Sequence, residues 1–221
     1  MHAAFKVFLD LLYPKDPVEG NVERIEPPFC DQCGEPYQGA GSTEFVCTNC
    51  RGRKWHLSEA RAGYYASGAV LDLIHEFKYR RSFHHLPEMG DWLLEGYDRY
   101  YAEQRWDWVI PVPLHRFRER QRMFNQSAEL ARWLSKRRGV PYLNALKRIK
   151  KTETQARLRR SERLRNQAGA FDLNVKPERM VEKRCLIIDD VFTTGATANA
   201  CAKILRKAKA SEVAVLTVAR G

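Results

Sequence analysis

No stretch of this sequence approaches the roughly 18 consecutive apolar residues that a membrane-spanning helix needs. That absence excludes a helical span as the organising feature. Internal repeats and low-complexity tracts are also missing, which excludes a stacked array. Carboxylates are scarce, with 27 Asp and Glu against 38 Lys and Arg for a net charge of +11. The shortage is local: residues 116–165 hold 17 Lys or Arg and 4 Asp or Glu, a net of +13, so the remainder sums to −2. Such a segment is either a solvated face or an anion-binding one.

What is present fits a soluble globular chain. At 221 residues, with 44% hydrophobic and 29% charged, it is long enough for one sizeable α/β core and a small accessory module. The opening MHAAFKVFLDLLYPKD is interrupted by Lys6 and Asp10. Phe5, Phe8, Leu9 and Leu12 recur at helical spacing, which predicts an amphipathic helix stopped before Pro14 rather than an export signal. The expected compartment is therefore the cytoplasm, where thiols stay reduced.

Cys30-x-x-Cys33 and Cys47-x-x-Cys50 are separated by 13 residues, the spacing of a zinc ribbon. Two such knuckles let four thiolates converge on Zn²⁺, with Gly34 and Gly52 supplying the turns. Four thiolates leave no open position for a reacting water, so the expected role is structural. Cys185 and Cys201 fall inside a strand and a helix and read as core.

Further along, residues 63–66 read as a strand that turns at Gly68 into a helix with Val70, Leu73, Ile74 and Phe77 on its apolar face. WDWVIPVPLH is strand-like up to Val112. A helix is predicted over about Asn125 to Arg138, capped by Asn125 or Ser127. Residues 147–168 are basic, lack hydrophobic period and read as a mobile loop. CLII, then TANACAKILRKAKA, then VAVLTVA read as strand, helix and strand, a right-handed βαβ unit in a parallel sheet.

Between that first strand and helix stands CLIIDDVFTTGAT, residues 185–197. Ligands of open parallel sheets sit at the carboxyl ends of the strands. Asp189 and Asp190 would lie at that edge. Thr193, Thr194 and Thr197 offer hydroxyls, and Gly195 lets the backbone bend before a helix N-terminus, which makes a phosphate cradle. A phosphate beside sugar hydroxyls fits both halves. The stretch resembles the phosphoribosyl-pyrophosphate (PRPP) motif of type I phosphoribosyltransferases, with Phe192 where an aliphatic residue is usual.

The ordered set of the cysteine quartet, FKYRRS (77–82), PVPLHRFRERQRMFNQ (111–126) and TETQARLRRSERLRNQAGAF (152–171) resembles the ComF family over residues 30–221. Met123 departs from it, standing where the family usually has Gly in an Arg-Gly-Phe-Asn-Gln run. The resemblance implies a type I phosphoribosyltransferase-like α/β fold: a parallel sheet with helices on both faces. An N-terminal helix and zinc-ribbon module would occupy 1–57 and the larger domain 58–221. It implies that Asp189 and Asp190 bind ribose and that Thr193, Thr194, Gly195, Ala196 and Thr197 hold the 5′-phosphate. Pro113, Leu114 and His115 would lie in the pyrophosphate loop, where type I relatives often carry a cis peptide, so one is expected near Val112. Arg116, Arg118, Arg120 and Arg122 follow at alternate positions and offer contacts to the diphosphate, and Lys78 is a further anion ligand. Thr154, Gln155, Arg163 and Asn166 match the flexible loop that would close over PRPP.

Two functions remain open. One is a nucleic-acid-handling protein of DNA uptake and natural transformation that keeps a PRPP site with Mg²⁺, binds single-stranded DNA through Arg157, Arg159 and Arg160, and meets other competence-machinery proteins. Trp55, Tyr64 and Tyr65 would be stacking candidates in it, against a core role for all three. The other is an active phosphoribosyltransferase in which Asp189 and Asp190 are catalytic. Nothing in the sequence reads as a nucleobase pocket, so the acceptor is not legible.

Overall fold

The computed structural model describes residues 20–37, 45–79, 83–150 and 169–221. The expected helix over Phe5–Leu12 lies outside the described residues. So do Thr154, Gln155, Arg157, Arg159, Arg160, Arg163 and Asn166.

Four strands form one parallel sheet: β1 (Ala60–Tyr65), β2 (Trp108–Pro111), β5 (Arg184–Phe192) and β6 (Glu212–Arg220), in the order β1-β6-β5-β2. Two short strands, β3 (Leu146–Arg148) and β4 (Phe171–Leu173), pair antiparallel beside it. The helices are α1 (Gly68–Tyr79), α2 (Leu86–Tyr100), α3 (Arg116–Arg122), α4 (Gln126–Arg138) and α5 (Ala196–Lys207).

The two central strands are apolar on both sides because both sheet faces are covered. Along β5, Cys185 and Ile187 join one core cluster while Leu186 and Ile188 join the other. Val213 and Val215 alternate in the same way with Ala214 and Leu216 on β6. Helices α1, α2 and α4 cover one face through Val70, Ile74, Phe77, Leu93, Leu130 and Leu134. Helix α5, the β3–β4 pair and the four N-terminal cysteines cover the other. This is the expected parallel sheet with helices on both faces.

Several expected boundaries move. β5 does not end before the carboxylates but runs nine residues through them to Phe192, because β6 continues alongside and supplies ladder partners as far as Arg220. β1 starts at Ala60, since Val215 to Arg220 offer it partners along that length. Within the expected loop over 147–168, Lys147 and Arg148 instead belong to β3, which pairs with β4; residues 151–168 lie outside the described residues. No cis peptide falls at residues 111–115; among the described residues the cis bond is Pro27–Pro28.

Candidate functional site

Asp189 and Asp190 lie near the carboxyl end of β5, between β2 and β6. Asp190 is buried and Asp189 half-buried. Adjacent strand residues point to opposite faces, yet both carboxylates reach the wall of one cavity of about 360 Å3 at this edge. Asp190 forms an ion pair with the Lys78 ammonium, which sits in the last turn of α1 where the helix dipole favours a cation. Burial by itself opposes ionisation of Asp190, and the Lys78 charge overrides it and holds the carboxyl below its usual range. Burial, reinforced by the neighbouring Asp190 charge, pushes Asp189 the other way. Its Oδ1 accepts from the Ser127 hydroxyl at 2.7 Å and from the Asp190 N–H at 3.0 Å.

The loop after β5 bends at Gly195, whose φ of +67° is left-handed. A Cβ there would lie 2.4 Å from Phe192 Cζ and 2.8 Å from Trp55 Cη2, so only glycine fits. Gly195 is also the N-cap of α5 and brings no side-chain acceptor to the first-turn amides. Thr193, Gly195, Ala196 and Thr197 line the cavity. Thr194 turns away: its Oγ1 accepts from the Ala196 N–H at 3.4 Å and its carbonyl accepts from Arg53.

Three consecutive residues at the start of α4 tie the surroundings together. Asn125 caps the helix by accepting from the Ser127 and Ala128 amides, and its Nδ2 donates to the Val112 carbonyl at 3.0 Å. Gln126 is buried, donates to the Lys78 carbonyl and accepts from Arg122 at 3.1 Å. Ser127 holds Asp189. The cap is thus Asn125 rather than Ser127, which has a different task.

The alternate arginines 116, 118, 120 and 122 do not share a face, because the segment is helical and alternate positions diverge by about 200°. Arg118 and Arg122, four apart, face the cavity; Arg116 and Arg120 are exposed. Of the pyrophosphate-loop candidates, Leu114 reaches the cavity wall. Pro113 is buried, and His115 caps α3, its Nδ1 accepting from the Phe117 N–H at 3.3 Å. Met123 carries φ +69°, the left-handed conformation that glycine adopts freely.

Arg148 was not among the sequence candidates. It is buried on β3 and lines the cavity with Arg118. Burial, with Arg118 nearby, lowers its hold on its proton, and Asp189 offsets part of this. The only sequence trace of its placement is the in–out–in alternation of Leu146, Lys147 and Arg148, three residues long and too short to read. Tyr64 is buried, with its hydroxyl donating to Glu95, and Trp55 packs against the Gly195 turn, so both serve packing.

The four N-terminal cysteines are buried and unbridged, and their sulfurs all lie within 4.8 Å of one another. Cys33 Sγ and Cys47 Sγ are 3.7 Å apart. A tetrahedral zinc with bonds of about 2.3 Å sets its sulfurs roughly 3.8 Å apart, so the group could hold that ion. Supporting donors are in place: the Cys47 N–H reaches Cys30 Sγ at 3.3 Å, and Arg220 on β6 reaches Cys33 Sγ at 3.5 Å and its carbonyl at 2.7 Å. No helix among the described residues is long and apolar enough to cross a membrane.

No family model matches the chain. It is 32% identical over 199 residues to Competence protein F of Haemophilus influenzae, covering 87% of this chain and 85% of that protein. It is 31% identical over 206 residues to the DNA utilization protein YhgH of Escherichia coli O6:H1, covering 89% and 86%. With Competence protein ComFC of Bacillus subtilis it shares 26% over 223 residues, covering 96% and 88%. Among solved structures, it is similar to the glutamine PRPP amidotransferase from B. subtilis, with a TM-score of 0.39 and 20% identity over 59% of this chain. It spans 25% of that enzyme's length.

Proposed function

The chain belongs to the ComF family of competence proteins, and on that premise we propose that it serves DNA uptake in natural transformation, binding PRPP with Mg²⁺ and single-stranded DNA in the cytoplasm. One observation carries the PRPP reading: two carboxylates and a helix N-terminus whose N-cap glycine brings no side-chain acceptor share the wall of one cavity at the carboxyl edge of the sheet. Asp189 and Asp190 would accept from the ribose hydroxyls. The amides of Ala196 and Thr197 with the Thr193 and Thr197 hydroxyls would take the 5′-phosphate. Arg118, Arg122 and Arg148 supply the positive wall that a diphosphate requires. Mg²⁺ suits the hard oxygens of such a ligand and would neutralise the diphosphate. Zn²⁺ would sit on Cys30, Cys33, Cys47 and Cys50 as a structural ion in a module ending near residue 57.

The DNA reading draws on the net +13 of residues 116–165. It also draws on the outer face of α3, where Phe117 is exposed between Arg116 and Arg120. Interleaved cations and aromatics suit a strand whose phosphates need charge and whose bases need stacking surfaces. Calorimetry with PRPP and Mg²⁺, and anisotropy with labelled single-stranded DNA, test the two halves separately. Absence of either binding in the intact chain sinks that half.

A second reading is an active phosphoribosyltransferase. It is favoured by the opposed proton preferences of Asp189 and Asp190, a pattern that assigns distinct roles to paired carboxylates. The C1–O bond to diphosphate would break with the electron pair leaving on pyrophosphate. A bond from C1 to the acceptor would form, and the acceptor's proton would pass to solvent. Ionised Asp190 beside the ribose would stabilise positive charge at C1. Pyrophosphate release on adding PRPP with candidate acceptors separates this reading from the first.

A further inference from the structure

The segment that follows the second cysteine knuckle reaches across to the phosphate loop. Arg53 is held from behind, its backbone N–H donating to the Cys50 carbonyl at 3.2 Å. In front, its Nη1 donates to the Thr194 carbonyl at 2.5 Å. Between these ends the guanidinium lies 3.8 Å from the centre of the Trp55 ring, a stacked cation–π contact. The outer edge of that ring closes the space at Gly195, 2.8–2.9 Å from where a Cβ would stand. Two further bonds pin the strands of this contact: the His56 N–H donates to Asn199 Oδ1 at 2.7 Å, and Asn199 Nδ2 donates to the Lys54 carbonyl at 3.0 Å. Four consecutive residues beside a cysteine ligand thus grip residues 194–199, the turn and first helical residues that carry the phosphate-binding amides.

A left-handed turn with no side chain of its own has little to hold it. Its donors are useful to an anion only when fixed in one direction beforehand, because ordering them on binding costs affinity. Trp55 supplies the wall and Arg53 the tether; Arg53 bonds to Cys50 through its backbone, and Trp55 stacks on Arg53. We propose that Arg53 and Trp55 are positioning residues of the phosphate loop, through which the metal state of the four-cysteine centre sets how tightly the cavity binds a ribose phosphate. The ligand class rests on the PRPP reading; the positioning itself does not.

Hydrogen–deuterium exchange of the metal-loaded protein, read over residues 192–199, tests the positioning without any ligand. Arg53→Ala should raise exchange there roughly tenfold, the scale of one lost hydrogen bond, and leave residues 184–188 of β5 at their wild-type rates. Trp55→Phe withdraws the outer ring edge from Gly195 and should raise exchange over the same residues by a smaller factor. Removing the metal from the wild type with a chelator should reproduce the Arg53→Ala change, and doing so in Arg53→Ala should add little, the mark of a shared path. In parallel, titration with PRPP and Mg²⁺ should show affinity weakened about tenfold in Arg53→Ala and by a smaller factor in Trp55→Phe. Unchanged exchange over 192–199 in both Arg53→Ala and the metal-stripped protein overturns the proposal. If exchange responds but the wild type does not bind PRPP, the positioning stands and the PRPP reading falls.

Discussion

The Ser127 hydroxyl donates to Asp189 Oδ1 at 2.7 Å, joining the first turn of α4 to the end of β5 across 62 positions of sequence. The bond matters because Asp189 is the less comfortable member of its pair. Burial and the Asp190 charge both favour its protonated form, and the Ser127 hydrogen bond, followed by the Lys78 charge, partly offsets them. A carboxyl group in that setting costs stability.

The sign of that cost follows from linkage. Asp189 has a folded pKa above its unfolded value of about 3.9, so its contribution is most favourable below that value and is lost as pH rises towards the raised folded pKa. Asp189→Asn keeps the acceptor for Ser127 and for the Asp190 N–H and takes up no proton on folding. The variant should therefore be more stable than wild type by roughly 1–2 kcal/mol at neutral pH, with the gain shrinking towards pH 4. Urea unfolding at several pH values measures it. A variant less stable than wild type at pH 7 contradicts the assignment.

Asp190 behaves oppositely. Lys78 favours its ionised form and holds the carboxyl below its usual range. Asp190→Asn should weaken PRPP binding by about 1.5–3 kcal/mol, the worth of a hydrogen bond to a charged group. Equal PRPP affinity in wild type and in the Asp189→Asn/Asp190→Asn double variant would remove these two residues from the site.

Met123 stands at the C-terminal end of α3 with φ +69° and is 67% exposed. Its side chain is mostly exposed, so little burial is set against the cost of the left-handed backbone. Met123→Gly should stabilise the chain by about 0.5–1 kcal/mol, a shift of roughly 1–4 °C in Tm for a protein of this size. Thermal unfolding that shows a loss would mean the Met123 side chain does something the backbone does not reveal.

How far the sequence anticipates this arrangement depends on how each signal is encoded. The strand–helix–strand at 184–220 is legible because its apolar runs are continuous and its ligand loop is local in sequence. The cysteine quartet is legible because its spacing is its geometry. The arginines after His115 mislead when read by alternation, since a seven-residue helix with no buried residue has no apolar period to announce it. Arg148 and Ser127 are invisible for a different reason. Each is ordinary in its own segment and acquires its role when a distant element, β4 or β5, arrives beside it. Phe192 at a usually aliphatic position becomes intelligible only with Gly195, since its ring and that of Trp55 both fill the space a Cβ would need there.

Purified protein should carry about one zinc per chain. Cys47→Ser should lose it, because three thiolates and a hydroxyl hold the ion far less firmly. The damage should reach the sheet, since Arg220 of β6 bonds to Cys33 and the cysteines share a core cluster with β5 and β6. Elemental analysis with a thermal scan reads both effects. A zinc-free wild type of unchanged stability would rule out the metal centre.

Single-stranded DNA binding, if it runs through the basic segment, should be driven by released counterions, so log K should fall with log salt by about 0.7 per phosphate neutralised. Arg157, Arg159 and Arg160 carry three of the 17 cations of residues 116–165, and reversing their charge should flatten that slope. Phe117→Ala tests a separate contribution. The ring is 52% exposed beside Arg116 and Arg120, and its loss should weaken binding by about 1–3 kcal/mol while leaving the slope alone, because stacking releases no ions. Saturating PRPP should weaken DNA binding only if the two ligands share the positive field of Arg118 and Arg148, which face the cavity rather than the outer side of α3. Anisotropy titrations at four salt concentrations, with and without PRPP, separate these contributions. No measurable affinity at low salt would defeat the DNA half outright and leave the basic segment serving the cavity alone.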